Sequence, residues 1–316
     1  MAKNGKETTQ PLARQLKQYV DPFRVDGTEE FHLKFHKPNE KGDLDKEAAN
    51  KIIDENRDRL RDLQEKLYAQ DNWSVLLIFQ GMDAAGKDSA IEHVMSGINP
   101  QGCQVYSFKQ PSSKELDHDF MWRTTKSVPE RGRIGIFNRS YYEEVLVVRV
   151  HPEILEKQKI PKELVTKNIW RERFEDIEAF EKYLARNGTL ILKFFLNVSK
   201  EEQRQRFLER LDEPAKNWKF SLADVSERKL WDKYQAAYQD ILRHTSAKHA
   251  PWFVVPADHK WFARVVISSA IVSAMEKLDL RFPEVEKGAI EELKKVRDAL
   301  EQEGKGSTKK QKANGG

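Results

Sequence analysis

One short stretch of the chain limits the possible folds more than any other feature. The apolar run Val75–Phe79 leads through Gln80 into Gly81-Met82-Asp83-Ala84-Ala85-Gly86-Lys87, and apolar residues then recur at helical spacing from Ala90 to Met95. A buried strand, a Gly-x-x-x-x-Gly-Lys loop and a helix in this order are typical of a P-loop. Small loop residues let successive N–H groups surround a phosphate, and the helix N-terminus adds about half a positive charge. The stretch therefore predicts a phosphate-binding site.

Strands and helices alternate over much of the remaining chain. Short apolar runs typical of buried strands recur at 104–108, 134–137, 189–196 and 252–255. Helical patterns lie between them, including 163–185 and 226–243. The alternation predicts a doubly wound α/β domain with a parallel sheet. A further helix is predicted over 45–69, with Asp43 or Asp45 as its N-cap.

The same patterns predict the domain organisation. We expect an extended N-terminal arm over 1–44, a P-loop domain over 45–285, a C-terminal helix over 286–302 and a disordered tail over 303–316. Within the domain, Ser199 and Glu202 form the pattern of a capping box, which predicts the start of a helix. A lid is predicted at about 204–224, because Pro214 interrupts this basic helix before another begins. Closing a lid over phosphates would exclude water.

Composition excludes several classes of protein. A single cysteine, Cys103, rules out a disulfide framework. No run approaches the roughly 20 apolar residues that a membrane helix needs, and the polar N-terminus is unlike a signal peptide. The net charge of +4 argues against a general nucleic-acid binder, although it allows a locally basic channel for a polyanion. We expect a cytoplasmic protein with no nucleic-acid and no membrane partner.

Acidic residues make this loop unlike an ordinary ATP site. Asp88 takes the position after the lysine where a Ser or Thr usually helps to hold Mg²⁺, and Ser89 follows one residue later. Asp83 lies inside the loop itself. A carboxylate in an anion-binding loop is costly unless a cation lies beside it, so Asp83 is interpreted as a magnesium ligand. Lys87 would supply a full positive charge to the transferring phosphoryl group.

A second polar motif follows the predicted strand at 134–137. Asn138 occupies the position where P-loop enzymes usually carry an Asp at the metal, and Arg139 has the planar donors that bind two phosphate oxygens at once. A simple strand exit with an exposed arginine is the alternative. Glu143 follows Arg139 by four residues, so it either pairs with that arginine on a helical turn or lies near the acceptor nucleotide.

Together the two motifs resemble the second polyphosphate kinase family. The resemblance rests on 81–88 and 137–151, and it extends to Lys216-Asn217-Trp218-Lys219-Phe220-Ser221, to Ala250-Pro251-Trp252 and to Val255-Pro256-Ala257-Asp258. Matching segments span about residues 20–285, and their order and spacing agree.

This resemblance implies a three-layer, thymidylate-kinase-like P-loop kinase fold with a parallel sheet and a helical lid. It implies a Mg²⁺-dependent enzyme, with Mn²⁺ as a second candidate, that moves the terminal phosphoryl group of inorganic polyphosphate reversibly to a nucleoside mono- or diphosphate. AMP and ADP are the expected acceptors, giving ADP and ATP, because Asn138 is similar to the subgroup that accepts both. GDP is a further candidate. Asp83 is implied to be a metal-site residue, and the assembly is implied to be a homodimer or homotetramer.

The candidate site residues fall into two groups. The predicted catalytic residues are Asp83, Lys87, Asn138, Arg139 and Glu143, with Asp83 and Asn138 at the metal. Those predicted to bind phosphate or nucleotide are the loop positions Gly81, Met82, Ala84, Ala85, Gly86, Asp88 and Ser89 and the basic side chains Lys109, Arg123, Arg206, Arg210, Lys216 and Lys219. A polyanion needs several such spaced cations. Solvated surface charges are the alternative for Lys109 and Arg123.

Two other functions fit part of the same pattern. An ATP-dependent nucleoside monophosphate kinase would share the P-loop and the lid, although Asp88 speaks against an ordinary ATP site. A non-catalytic protein that binds nucleotides or polyanions is the second alternative, since Asn138 is a weaker metal ligand than Asp. Formation of ATP from polyphosphate and ADP would separate the predicted enzyme from both.

Overall fold

A six-stranded sheet runs through the larger of two units in the computed structural model, which describes residues 17–219, 222–284 and 287–313. The larger unit ends at Leu280 and the second begins at Arg281. The strands are β1 (Arg24–Val25), β2 (Ser74–Gln80), β3 (Cys103–Ser107), β4 (Ile134–Asn138), β5 (Thr189–Asn197) and β6 (Trp252–Pro256). Their order is β1-β6-β5-β2-β4-β3, and every neighbouring pair is parallel except β1 with β6.

The central strands are buried on both faces of the sheet. Every residue of β2 and β6 is buried, as is every residue of β5 except Leu190. Because successive side chains point to opposite faces, such strands must be covered on both sides, as parallel sheets usually are. The predicted α/β fold with a parallel sheet is confirmed.

The α-helices that the structure describes in this unit are α1 (Lys46–Gln70), α2 (Lys87–Val94), α3 (Ser113–Leu116), α4 (Trp122–Thr125), α5 (Val147–Val150), α6 (Pro152–Leu155), α7 (Ile169–Arg186), α8 (Lys200–Asp212), α9 (Leu222–Lys229), α10 (Trp231–Thr245) and α11 (Lys260–Met275). Short 3-10 helices occur at Asp21–Phe23, Leu33–Phe35, Pro100–Gly102, Tyr141–Val145, Lys162–Leu164, Pro214–Lys219 and Glu276–Leu278. Helix α11 packs against α1 and α2. Among the described helices of the whole chain, none combines the length and apolarity needed to cross a membrane.

The predicted starts of α1 and α8 are confirmed by their caps. The Asp45 carboxylate accepts a hydrogen bond from the Ala48 N–H at 2.8 Å, and the Ser199 hydroxyl accepts one from the Glu202 N–H at 3.1 Å. The reciprocal bond of a capping box, from the Ser199 N–H to the Glu202 carboxylate, does not form between these two described residues. The Ser199 N–H donates instead to the Asp258 carboxylate at 2.8 Å, which ties the start of α8 to the end of β6.

Two predicted helices differ from the structure. The helix predicted over 163–185 begins at Ile169, after β-branched residues that include Val165 and that favour extended backbone. The helix predicted over 226–243 is interrupted at Leu230, which separates α9 from α10. The predicted break and returning helix in the lid region are present, since the 3-10 helix Pro214–Lys219 lies between α8 and α9.

The N-terminal arm is more than the extended segment predicted over 1–44. In its described part, from residue 17 onward, β1 pairs with β6 and extends the sheet by one antiparallel strand. Phe23, Phe31 and Leu33 are buried in the main core. The arm therefore contributes apolar surface to the core through these residues, whereas Phe35 is exposed.

The second unit contains α12 (Lys287–Ala313). A helix was expected over 286–302 and a disordered tail from residue 303, but the helical backbone continues to Ala313. No proline, the residue that ends a helix most strongly, occurs between 303 and 313. Residues 314–316 of the expected tail lie outside the described residues.

A buried charged cluster fixes the segment that follows β4. Lys193, in the middle of β5, is fully buried and donates to the Glu181 carboxylate at 2.5 Å and to the Tyr142 hydroxyl at 2.9 Å. The other Glu181 oxygen accepts from the hydroxyls of Tyr141 and Tyr142, both at 2.8 Å. The cluster thus ties β5 and α7 to the 3-10 helix Tyr141–Val145, which belongs to the second polar motif.

Removing the negative charge from this cluster should destabilise the protein strongly. Glu181→Gln leaves the Lys193 ammonium buried without a counter-charge, and we expect the free energy of unfolding to fall by about 3–5 kcal/mol. The measurement is urea unfolding followed by circular dichroism. The control is Glu175→Gln, an exposed position on the same helix, with an expected change within about 0.5 kcal/mol. Equal losses in the two variants would contradict a special role for the cluster.

Candidate active site

The phosphate loop and the second polar motif meet at one edge of the sheet. Strands β2 and β4 are parallel neighbours, and Phe79 lies opposite Asn138 in their register. The loop at 81–87 follows β2, and Arg139 follows β4. The carboxyl ends of parallel strands are where α/β proteins place their ligand sites. Direct contacts and short-range charge interactions join residues of the loop and the start of α2 to residues at the end of β4 and after it.

The loop backbone has the curvature of an anion-binding site. Ala84 (φ +60°) and Gly86 (φ +102°) are both in the left-handed region. Left-handed residues within such a loop turn successive N–H groups to one side, where they form a concavity for an anion. Gly86 adopts this backbone without steric cost, whereas it costs Ala84 about 1–2 kcal/mol. Helix α2 begins at Lys87, so its positive end adjoins the concavity.

Lys87 is buried beneath the loop. Its ammonium donates to the carbonyl oxygens of Gly81 at 2.7 Å and Met82 at 3.3 Å. Burial, together with the neighbouring Arg139 charge, lowers the pKa of Lys87 to about 8, although nearby acids oppose the shift. The ammonium is therefore close to its titration point at slightly alkaline pH, and an anion beside it would favour the charged form.

Arg139 connects the two motifs electrostatically. Its guanidinium donates to the Asp83 carboxylate at 2.8 Å and to the Glu143 carboxylate at 3.4 Å. The pKa of Arg139 is raised, chiefly by Glu143, so this cation stays charged. Its backbone is left-handed (φ +65°), and its N–H donates to the Phe79 carbonyl oxygen at 3.0 Å. A non-glycine residue in this conformation is uncommon and marks a position that its surroundings hold in place.

Glu143 lies against this pair of cations, with 12% of its side chain exposed. Burial raises the pKa of its carboxyl group, while Arg139 and Lys87 oppose the rise. The predicted contact with Arg139 is present, but not on the predicted helical turn, because Arg139 is left-handed and the 3-10 helix begins at Tyr141. Its predicted nearness to the acceptor nucleotide stays a prediction.

The donor set at this edge fits a magnesium ion. Asp83 binds Arg139 through one carboxylate oxygen, which leaves the other for a cation. Asn138 donates its amide nitrogen to Asp88 at 2.6 Å, which leaves its amide oxygen. Within the described residues there is no group of three or more His, Cys, Asp or Glu suited to a metal. Magnesium often takes only one or two protein carboxylates and fills its remaining positions with substrate phosphates and water, so Asp83 and Asn138 would suffice.

The predicted basic residues are not all gathered at the loop. Arg123 donates to the Lys109 carbonyl oxygen at 2.6 Å and lies over the Phe108 ring at 5.5 Å, so these two residues form a cluster beyond the end of β3. Arg210 lies over the Phe207 ring at 5.6 Å. The backbones of the predicted residues 216 and 219 belong to the 3-10 helix after α8, and their side chains lie outside the described part of the chain.

Arg206 is occupied differently from the prediction. Its Nε donates to Glu202 at 2.8 Å, and its Nη1 donates to the carbonyl oxygens of Ala84 and Ala85 at 3.0 and 2.9 Å. Its Nη2 donates to the carbonyl oxygens of Ala257, at 2.5 Å, and of the following residue, at 3.2 Å. Since a guanidinium has five N–H donors, this arrangement leaves none for the direct phosphate contact predicted from the sequence.

Sequence reasoning missed two residues that contact the loop and the start of α2. Gln203 donates to the Asp83 carbonyl oxygen at 2.9 Å, and Arg264 donates to the Ser89 hydroxyl at 3.0 Å. Gln203 and Arg206 are three residues apart on α8 and therefore share a face, which is a signal the sequence does contain. Arg264 carries no such signal, because only the packing of α11 against α2 brings it close.

The fold and the site together define a P-loop phosphotransferase, with a mostly parallel sheet, a phosphate loop and two cations beside it. The model of the family described as polyphosphate kinase 2 (PPK2) matches residues 43–283. The chain belongs to the polyphosphate kinase 2 family.

Named relatives and a solved structure agree with this assignment. The chain is 55% identical over 256 residues to an ADP-polyphosphate phosphotransferase of Rhodopseudomonas palustris, a match that covers 81% of this chain and 89% of the relative. It is 44% identical over 266 residues to an AMP/ADP-polyphosphate phosphotransferase of Meiothermus ruber, with coverage of 84% and 96%. The crystal structure of polyphosphate kinase 2 from Arthrobacter aurescens superimposes with a TM-score of 0.79 at 37% identity, with coverage of 86% and 95%.

The titration of Lys87 should make anion binding depend on alkaline pH. Because an anion favours the charged ammonium, binding above pH 8 requires the uptake of a proton, and the affinity should fall by up to about tenfold per pH unit. The measurement is calorimetric titration with inorganic tripolyphosphate between pH 7.5 and 9.5. The arginine of Lys87→Arg keeps its charge throughout this range, so the affinity of this variant for tripolyphosphate should change little with pH. An equal fall in Lys87→Arg would show that another group titrates.

Proposed function

We propose that this chain transfers the terminal phosphoryl group of inorganic polyphosphate to a nucleoside mono- or diphosphate, and reverses the reaction when the nucleotide is in excess. The observation that carries the proposal is the joint placement of the phosphate loop, the buried Lys87 and the Arg139–Asp83 pair at one sheet edge, in a chain of the polyphosphate kinase 2 family. The names of the two similar relatives describe the same chemistry.

The reaction needs positioning and charge neutralisation more than acid–base catalysis. An oxygen of the acceptor phosphate attacks the terminal phosphorus, the bond from that phosphorus to the bridging oxygen breaks, and polyphosphate leaves one unit shorter as an anion. Because the attacking oxygen is already anionic, no strong base is needed. The loop N–H groups and Lys87 bind the oxygens of the transferring group, and Arg139 orients the acceptor.

We further propose Mg²⁺ as the cofactor, held by Asp83 and Asn138 and replaceable by Mn²⁺. When bound, the ion supplies positive charge to the phosphate oxygens. In this arrangement one Asp83 oxygen binds the ion, and the other accepts the hydrogen bond from Arg139 at 2.8 Å. Arg123 and Lys109 lie together beyond β3, where they would serve phosphates farther from the loop. We also propose that the protein assembles as a homodimer or homotetramer and is located in the cytoplasm.

The direct test is ATP synthesis from polyphosphate. The purified protein, Mg²⁺, inorganic polyphosphate and ADP should give ATP in a luciferase assay, and AMP in place of ADP should give ADP and then ATP. Asn138 supports the use of both acceptors. The two relatives' names differ on this point, so each acceptor is tested separately. Formation of ADP from ATP and AMP, with no product from polyphosphate, would instead support a nucleoside monophosphate kinase.

The metal role of Asp83 is tested by a change of charge at constant shape. Asp83→Asn should lower kcat by about 100-fold or more at saturating Mg²⁺, because it weakens both the metal site and the hold on Arg139. It should also weaken Mn²⁺ binding in the presence of tripolyphosphate, measured by electron paramagnetic resonance. Asp58→Asn, on the exposed side of α1, is the control and should behave as the unmodified protein. Full activity of Asp83→Asn would refute the metal role.

A further inference from the structure

One face of helix α8 holds the outer side of the phosphate loop. Gln203 donates through Nε2 to the Asp83 carbonyl oxygen at 2.9 Å, and Arg206 donates through Nη1 to those of Ala84 and Ala85 at 3.0 and 2.9 Å. Both side chains are buried, with exposed fractions of 1% and 4%. Three successive carbonyl groups of the loop are therefore bonded to a single helix.

Peptide geometry converts these bonds into a constraint on the loop N–H groups. In a planar trans peptide, the C=O of one residue and the N–H of the next point in opposite directions. Holding the carbonyls of Asp83 and Ala85 against α8 thus turns the N–H groups of Ala84 and Gly86 away from that helix. The N–H of Ala85 closes a turn to the Met82 carbonyl oxygen at 3.1 Å. Ala84 and Gly86 are also the two left-handed positions of the loop.

We propose that Gln203 and Arg206 are positioning residues that hold the phosphate loop in its anion-binding conformation before substrate arrives. A left-handed alanine is unfavourable by itself, so it persists where surrounding bonds over-determine it. The Gln203 and Arg206 side chains supply those bonds from outside the loop. A preorganised loop spends no binding energy on ordering its donors when a phosphate enters. The consequence for turnover rests on the proposed function, whereas the effect on the loop conformation does not.

Each positioning residue also joins the loop to a second element. The Gln203 side-chain oxygen accepts from Arg228 Nη1 of α9 at 2.9 Å, so this amide links the returning helix of the lid region to the loop. Arg206 reaches the carbonyl oxygen of Ala257, just beyond β6, at 2.5 Å. A lysine at 206 would retain the positive charge but could not form both sets of bonds, because its single ammonium lacks the planar fork of arginine. This difference separates positioning from simple charge.

The experiment compares matched variants on α8. Gln203→Met removes both amide bonds at nearly constant length, and Arg206→Lys keeps the charge. Their controls are Gln205→Met and Arg204→Lys at exposed positions of the same helix. The first measurement is hydrogen exchange of the Ala85 amide by NMR without substrate. The second is the affinity for inorganic tripolyphosphate by calorimetry, and the third is kcat and KM with polyphosphate and ADP.

We expect Gln203→Met and Arg206→Lys to speed hydrogen exchange at the Ala85 amide and to weaken tripolyphosphate binding by about tenfold. The fold decrease in kcat should exceed the fold increase in KM. Both controls should match the unmodified protein. Unchanged exchange in Gln203→Met, or unchanged affinity in Arg206→Lys, would overturn the proposal. If Arg206→Lys does not fold, Gln203→Met decides alone. If the unmodified protein makes no ATP from polyphosphate, the proposed function fails, and the exchange data still decide whether these residues position the loop.

Discussion

The parallel pairing of β2 with β4 is the constraint on which the site depends. Its register sets Phe79 opposite Asn138, so the phosphate loop and the Asn138–Glu143 segment leave the sheet side by side. A shift of one residue would turn every side chain of β4 to the other face. Such a shift would break the packing of Ile134, Ile136 and Phe137, which are fully buried in β4 beside the buried β2. The hydrophobic core thus fixes the position of charged groups that it does not contain.

Those charged groups are arranged so that each cation has an oxygen partner. Lys87 donates to loop carbonyls, and Arg139 is held between Asp83 and Glu143. Protein oxygens therefore pair both cations within the site. Because burial lowers the pKa of Lys87 to about 8, the net charge of the site changes with proton uptake at slightly alkaline pH. The Lys193–Glu181 cluster stabilises the 3-10 helix Tyr141–Val145 from within the core through the hydroxyls of Tyr141 and Tyr142.

Much of the site was predictable because its signal is local. The strand, the Gly-x-x-x-x-Gly-Lys loop and α2 are contiguous, and the i,i+4 spacing of Arg139 and Glu143 predicted their contact. Arg206 shows the limit of such reasoning. Its position on a basic helix predicted a phosphate contact, but its donors bind backbone carbonyls from the loop and from the end of β6. A basic residue that faces an anion and one that holds a carbonyl look the same in the sequence.

The sequence by itself determined the α/β class, the phosphate loop and the family, since each depends on residues that are close along the chain. It also carried the acids Asp83 and Asp88, which make the loop unusual. The tertiary structure decided which side chains serve the loop from a distance. Gln203, Arg206 and Arg264 lie more than a hundred residues from it. Their roles depend on the position of α8 beside the loop and on the packing of α11 against α2, because long-range packing, and no local pattern, brings their donors within hydrogen-bonding distance.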